Sequence, residues 1–192
     1  QPACRGGKKG DARMSWQPPE SLLAAAEAEW ARIQALPTPL RPRDRMGIAA
    51  QEMPSQEPLA RARNMREVAL GYYAEQARVE AARCLQCKNA PCVSGCPVGV
   101  QIPQFIAALA AGDPAKAIAI IKETSLLPAV CGRVCPQETQ CQAPCTLGKS
   151  LKSLDKAVAI GRLERYAADT RRAGHTVVLF EAFHKAGGVL VY

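Results

Sequence analysis

Apolar residues recur at helical spacing through most of this chain. Leu22, Leu23, Ala26, Trp30, Ile33 and Leu36 mark one face of an amphipathic helix, with Pro18 and Pro19 ahead of it and Pro37 to stop it. Such a face is read here as packing against the rest of the protein. Pro37, Pro39 and Pro42 then predict an extended linker. Two helical stretches are expected between Arg61 and Arg83, the second running from Tyr73 into Arg83. Pro103 suits the first turn of a helix that carries Phe105, Ile106 and Leu109 and ends before Gly112. Asp113 can cap the next helix and Pro114 can open it, with Ile118, Ile120 and Ile121 buried and Lys122 and Glu123 at its end. Pro128 is expected to open a loop. A helix from Asp155 to Asp169 would place Ile160, Leu163 and Ala167 on one apolar face. Residues 60–170 show no strand-like alternation. Only Thr176 to Phe180, TVVLF, has a short buried-strand pattern.

Composition narrows the class. With 192 residues the chain holds one compact domain, or one domain plus a fragment. Apolar residues reach 48%, too many for a disordered polymer, but aromatics are only 5% beside 14 glycines and 15 prolines. That is a thin, loop-rich core, of the kind that metal ligation can reinforce by fixing loops. No run has the length of a membrane span, and residues 1–20 contain no apolar core of signal-peptide length. The cysteine usage suits a reducing cytoplasm, where thiolates stay free to bind iron. The net charge of +8 raises the question of nucleic acid. The basic residues are scattered, however, and not interleaved with aromatics as on a stacking platform.

The chemistry is concentrated between Cys84 and Cys145, where eight of the nine cysteines lie. Cys4 stands alone in a polar tail and is given no role. The first four, Cys84, Cys87, Cys92 and Cys96, are spaced C-x2-C-x4-C-x3-C-P; Cys131 follows, and Cys135, Cys141 and Cys145 are spaced C-x5-C-x3-C. Such gaps let several thiolates of one loop converge on one inorganic centre. Three readings compete. Disulfides suit small secreted proteins, and nothing here looks secretory. Two Cys4 zinc sites could use eight thiolates, although the chain has only one CxxC pair. Iron–sulfur ligation is the leading reading, because a cysteine followed by proline at the loop exit also ends bacterial ferredoxin ligand runs. Arg83, Lys88, Arg133 and Lys149 flank these cysteines and would balance the negative charge of thiolate-bound clusters.

CLQCKNAPCVSGCPVGVQIPQFI followed by CGRVCPQETQCQAPC resembles the N-terminal iron–sulfur domain of the glutamate synthase small subunit family. That domain is similar to one in dihydropyrimidine dehydrogenase and to one in the large subunit of the bifurcating NADH-dependent ferredoxin:NADP oxidoreductase. The resemblance covers roughly residues 52–192 and implies an oxidoreductase subunit with two [4Fe–4S] clusters. Carried over by position, it implies one cluster on Cys84, Cys87, Cys92 and Cys145, and another on Cys96, Cys135 and Cys141 with Glu164 as fourth ligand. Cys131 would be a buried bystander. Glu164 flanks the apolar stripe of its helix and has no Lys or Arg three or four residues away. The family reading also implies FAD, NAD(P)H and a catalytic or ferredoxin-like partner subunit in a hetero-oligomer. Competing readings are a transhydrogenase large subunit and a zinc-stapled interaction module without redox chemistry.

The same resemblance makes AGHTVVLFEA, Ala173 to Ala182, the second strand of a flavin-binding Rossmann unit. Glu181 would bind the ribose, and Gly187 and Gly188 would approach the nucleotide. The glycine loop expected between Thr170 and Arg171 is absent. With no strand-like alternation in residues 60–170, the expected architecture is mainly α. Residues 1–45 form a tail, helix and linker; residues 46–170 form an α-helical ferredoxin-like two-cluster domain; residues 171–192 are a truncated Rossmann segment. FAD binding by this chain alone is not expected.

Overall fold

Proline punctuates the architecture. In a computed structural model that describes residues 16–172, six helices begin with proline at their first position. They are α1 (Pro19–Gln34), α2 (Pro42–Met46), α3 (Pro58–Arg61), α5 (Pro91–Ser94), α7 (Pro114–Lys122) and α8 (Pro128–Val134). Proline lacks an N–H where a helix start cannot use one, and its fixed φ suits the first turn. The others are α4 (Ala74–Ala82), α6 (Ile102–Ala110), α9 (Thr146–Ser150) and α10 (Ile160–Arg172), with a 3₁₀ turn over Leu154–Lys156. Among the described residues there is no strand, only an isolated antiparallel bridge between Ser55 and Ala69. The mainly α expectation holds. The TVVLF segment, Cys4, Glu181, Gly187 and Gly188 lie outside the described residues.

The main core gathers α4, α6, α7, α9 and α10. Phe105, Ile106, Leu109, Ile121, Leu147 and Leu163 are its best-buried large side chains. The turn between α6 and α7 forms as the sequence suggests. Gly112 takes φ +78 and Asp113 accepts the Lys116 amide at 2.8 Å. Ile118 and Ile121 are buried, while Ile120 is half-exposed on the margin. Helix α1 lays Ile33 and Trp30 against Val79, Ala82 and Ile48, forming a second, smaller core on the far side of α4. Its apolar face is therefore packing surface.

Four local expectations are corrected. Residues 62–72 are not helical. Gln56 and Leu70 donate to the carbonyls of Val68 and Pro54, and Gly71 at φ +88 turns the chain out of that pairing. The proline-rich linker is partly helical, because Pro42 opens α2 and Asp44 accepts the Arg41 amide at its start. Pro128 opens helix α8 rather than a loop. Helix α10 starts at Ile160, not Asp155, because the 3₁₀ turn ends at Lys156 and Ala157 is extended after it.

A buried ion pair holds these pieces in place. Glu80 on α4 and Arg83 at its C-cap, one turn apart, are 0% and 1% exposed. The Glu80 carboxylate accepts from Arg83 and from the amides of Gln51 and Ala159, both at 2.9 Å. The Arg83 guanidinium donates to the carbonyls of Ile48, Lys156 and Ala157. Arg83 is thus not a free flanking charge as the sequence suggested. Neither is Arg133, which bridges Glu67 and Asp169 at 2.8 Å each on the surface.

Breaking the buried pair from one side leaves a charge without its partner. Arg83→Met should destabilise the protein by about 3–5 kcal/mol, against about 1 kcal/mol or less for Arg133→Ala. Denaturant titration followed by circular dichroism compares the two, and equal losses would remove the special place given to Arg83. The surface network adds a pH signature. The Arg133 hydrogen bond holds Glu67 below its usual value of 4.5. Its contribution is therefore complete above that pH and is lost as pH falls through the lower folded value. Hydrogen-exchange protection of the Gln56 and Leu70 amides should weaken in acid, and Glu67→Gln should remove that pH dependence.

Candidate metal centre

Helix α4 delivers the first cysteine. Cys84 follows its C-cap, and Arg45 of α2 donates to the carbonyls of Ala82 and Cys84 at 3.0 and 2.8 Å, satisfying groups the helix end leaves free. The turn to Cys87 puts Gln86 at φ +52, a conformation that non-glycine residues rarely adopt. Cys92 lies on α5, and Cys145 caps the start of α9. These four thiols, with Thr146, line one cavity of about 20 Å³. The Cys87 thiol donates to the Thr146 hydroxyl at 3.4 Å, a contact between residues 59 positions apart.

A roomier cavity of about 90 Å³ opens on the other side of Ile102 and Ile160, which line both. Its donors are Cys96, Cys131, Cys135, Cys141 and Glu164. Cys131 is on α8, Cys135 is its C-cap one turn later, and Glu164 is on α10. The two helices meet where Gly132 has no side chain. A Cβ there would lie 2.7 Å from the Arg165 amide nitrogen and 2.9 Å from its Cα. Cys131 is half-exposed and borders the cavity, so it is not buried as expected.

Every sequence-predicted cysteine in the described residues is therefore at one of two cavities, and Glu164 is at the second. Among the described residues the cysteines carry no disulfide. Burial, with thiols crowded beside one another, pushes the Cys84 thiol up to about 11 and Cys92 and Cys141 up to about 12. Cys135 is raised by burial and by adjacent Cys131. Burial alone lifts the Glu164 carboxyl to about 7. Such a set is costly to ionise alone and is stabilised as thiolates by metal. Among the described residues, no three Cys, His, Asp or Glu side chains converge closely enough to hold a single ion. The donors line the walls of the two cavities, as a multi-iron cluster needs, where each thiolate binds a different metal atom. The donor set fits an iron–sulfur group.

Comparison with known proteins agrees. Residues 61–176, more than half the chain, match the family described as dihydropyrimidine dehydrogenase domain II, 4Fe–4S cluster. The chain belongs to this iron–sulfur family. It is 37% identical over 123 residues to the glutamate synthase [NADPH] small chain of Halomonas elongata, covering 64% of this chain and 25% of that protein. The glutamate synthase [NADPH] small chain of Escherichia coli K12 is 42% identical over 94 residues, covering 49% of this chain and 19% of that protein. The NAD-dependent dihydropyrimidine dehydrogenase subunit PreT of the same organism is 40% identical over 90 residues, covering 47% and 21%. The chain spans a quarter or less of the length of these relatives. No helix of the described residues is long and apolar enough to cross a membrane.

Sequence reasoning missed Thr146 and Gly132. The position of Thr146 directly after a candidate ligand was an available signal. Nothing in the sequence marked Gly132 as the place where α8 rests on α10. Gly132→Ala should cost about 1–3 kcal/mol by overpacking that contact and should lower retained iron. At Gly47 an added methyl would be 3.5 Å from the nearest atom, the Asp44 carbonyl oxygen. Gly47→Ala should therefore stay within about 0.5 kcal/mol. Thermal unfolding and iron analysis of the two variants test this, and equal behaviour would show that the α8–α10 approach has room to spare.

Proposed function

We propose that this domain carries two [4Fe–4S] clusters that relay electrons between a flavin reduced by NAD(P)H and a partner subunit, as an oxidoreductase component most like a glutamate synthase small subunit. The observation that supports this best is the pair of thiol-lined cavities sharing Ile102 and Ile160 as their common wall. A bound [4Fe–4S] cluster supplies a one-electron carrier whose potential responds to ligand type, burial and hydrogen bonds to sulfur. Cys84, Cys87, Cys92 and Cys145 would hold the first cluster; Cys96, Cys135, Cys141 and Glu164 would hold the second. None of these residues acts as a nucleophile. FAD, NAD(P)H and the partner subunit belong to the proposed whole assembly, with the final acceptor set by that partner.

Ligation by iron would reverse the hydrogen bond at the first site. Cys87 bound as thiolate has no proton to give, so the Thr146 hydroxyl would turn and donate to the sulfur. A hydrogen bond to a ligand sulfur stabilises the more negative, reduced state. The carboxylate of Glu164 would give the second site a harder donor than thiolate, with its own effect on potential.

The ligand assignment is tested in the anaerobically purified chain, expected to hold about eight irons, four per cluster. Cys145→Ala and Cys96→Ala should each damage one cluster, and different ones. Electron paramagnetic resonance separates the two signals, and loss of the same signal in both variants would sink the assignment. Thr146→Val should lower the potential of the cluster that Cys145→Ala removes, and Thr146→Ser should restore it. An unchanged redox titration would show that this hydroxyl does not touch the ligand sulfur.

A further inference from the structure

The two cavities differ in their donor count. The first has four thiols, one for each iron of a four-iron cluster. The second has four thiols and a carboxylate. We propose that Cys131 is a reserve ligand for the iron that Glu164 binds, so that this site can exchange a carboxylate for a thiolate at one metal atom. The proposal rests on the two-cluster reading above.

Placement supports it. Cys135 is the C-cap one turn after Cys131 and its amide donates to the Cys131 carbonyl at 3.1 Å, so the two thiols lie side by side. Gly132 lets α8 rest directly on α10 at Arg165. The residues just before these two contact points, Cys131 and Glu164, consequently border the same space. Helix α8 is also well fixed at this point. The Cys131 carbonyl accepts from the Gln137 side chain at 3.2 Å, and the Arg133 side chain donates to the Ala129 carbonyl at 2.9 Å. The Cys131 thiol lies beside the Cys135 thiol and accepts a long contact of 3.9 Å from the Ser125 hydroxyl. Rotation about one side-chain bond is all a cysteine needs to change its direction.

The exchange is balanced without any redox step. The bond from iron to the Glu164 oxygen breaks and a bond from iron to the Cys131 sulfur forms. The thiol proton passes to the released carboxylate or to water, and no electron is transferred. A soft thiolate in place of a hard carboxylate alters the electronic character of that iron while keeping it in the cluster.

Three variants read this out by iron content and electron paramagnetic resonance, with the first cluster's signal as the check on folding. Cys131→Ser alone should keep about eight irons and the wild-type spectrum, because Glu164 is still present. Glu164→Ala should also keep about eight irons but with a changed signal from the second cluster. Glu164→Ala with Cys131→Ser should fall to about seven irons or fewer and give a three-iron signal or none from that site. Equal iron loss in Glu164→Ala and in the double variant would overturn the proposal, as would full iron in the double variant. Iron loss in Cys131→Ser alone would make Cys131 a resident ligand and overturn it too. Wild-type protein without iron for two clusters would overturn the reading beneath it.

Discussion

The Glu80–Arg83 pair fixes the framework on which both cavities depend. Three pieces of chain distant in sequence meet on these two side chains: residues 48–51, helix α4, and residues 156–159 ahead of α10. The first piece reaches back toward α1 and α2. The second ends in Cys84. The third leads through Ile160 to Glu164. A buried pair of opposite charges is no strong source of stability in itself, because desolvation offsets much of the attraction. Its value here is geometric. Each charge is saturated by backbone groups that apolar side chains could not engage, so the helix that presents the first thiol and the helix that presents the carboxylate keep one relative position.

Much of the fold could be read from the sequence because its punctuation is local. Asp113 and Pro114 act within one turn, and so do the prolines that open α1 and α7. The apolar stripe of Ile160, Leu163 and Ala167 is likewise a property of one helix, and all three residues are buried. What could not be read depends on distant partners. Residues 62–72 carry helix-compatible residues but bond instead to residues 54–56. Helix α8 contains a glycine and β-branched residues that weaken a helix, and it forms against α10, where that glycine lets the two backbones approach. Glu80 and Arg83, spaced as a surface ion pair would be, gave no sign of complete burial.

The cysteine pattern was legible as chemistry and only partly legible as geometry. Spacing alone showed that Cys84, Cys87 and Cys92 could share a centre. It did not show that Cys145 would face them and Cys96 would not. That division appears in the folded chain because α5 ends between Cys92 and Cys96, sending the two thiols to opposite sides of the wall made by Ile102 and Ile160. The family resemblance anticipated the same division. It left out Cys131, whose place on the second cavity follows from the single turn of α8 that separates it from Cys135.

That shared wall has a consequence for synthesis. Ile160 lines both cavities, and it follows the cysteines of the first motif by more than sixty residues of chain. A ribosome that has just released Cys96 has exposed four thiols with no enclosure around them. Neither cavity can close until α10 has emerged and docked. The period in which the nascent cysteines are open to oxidation or to stray metal is therefore set by translation of the intervening helices. The thiols therefore have to be kept reduced until α10 is in place.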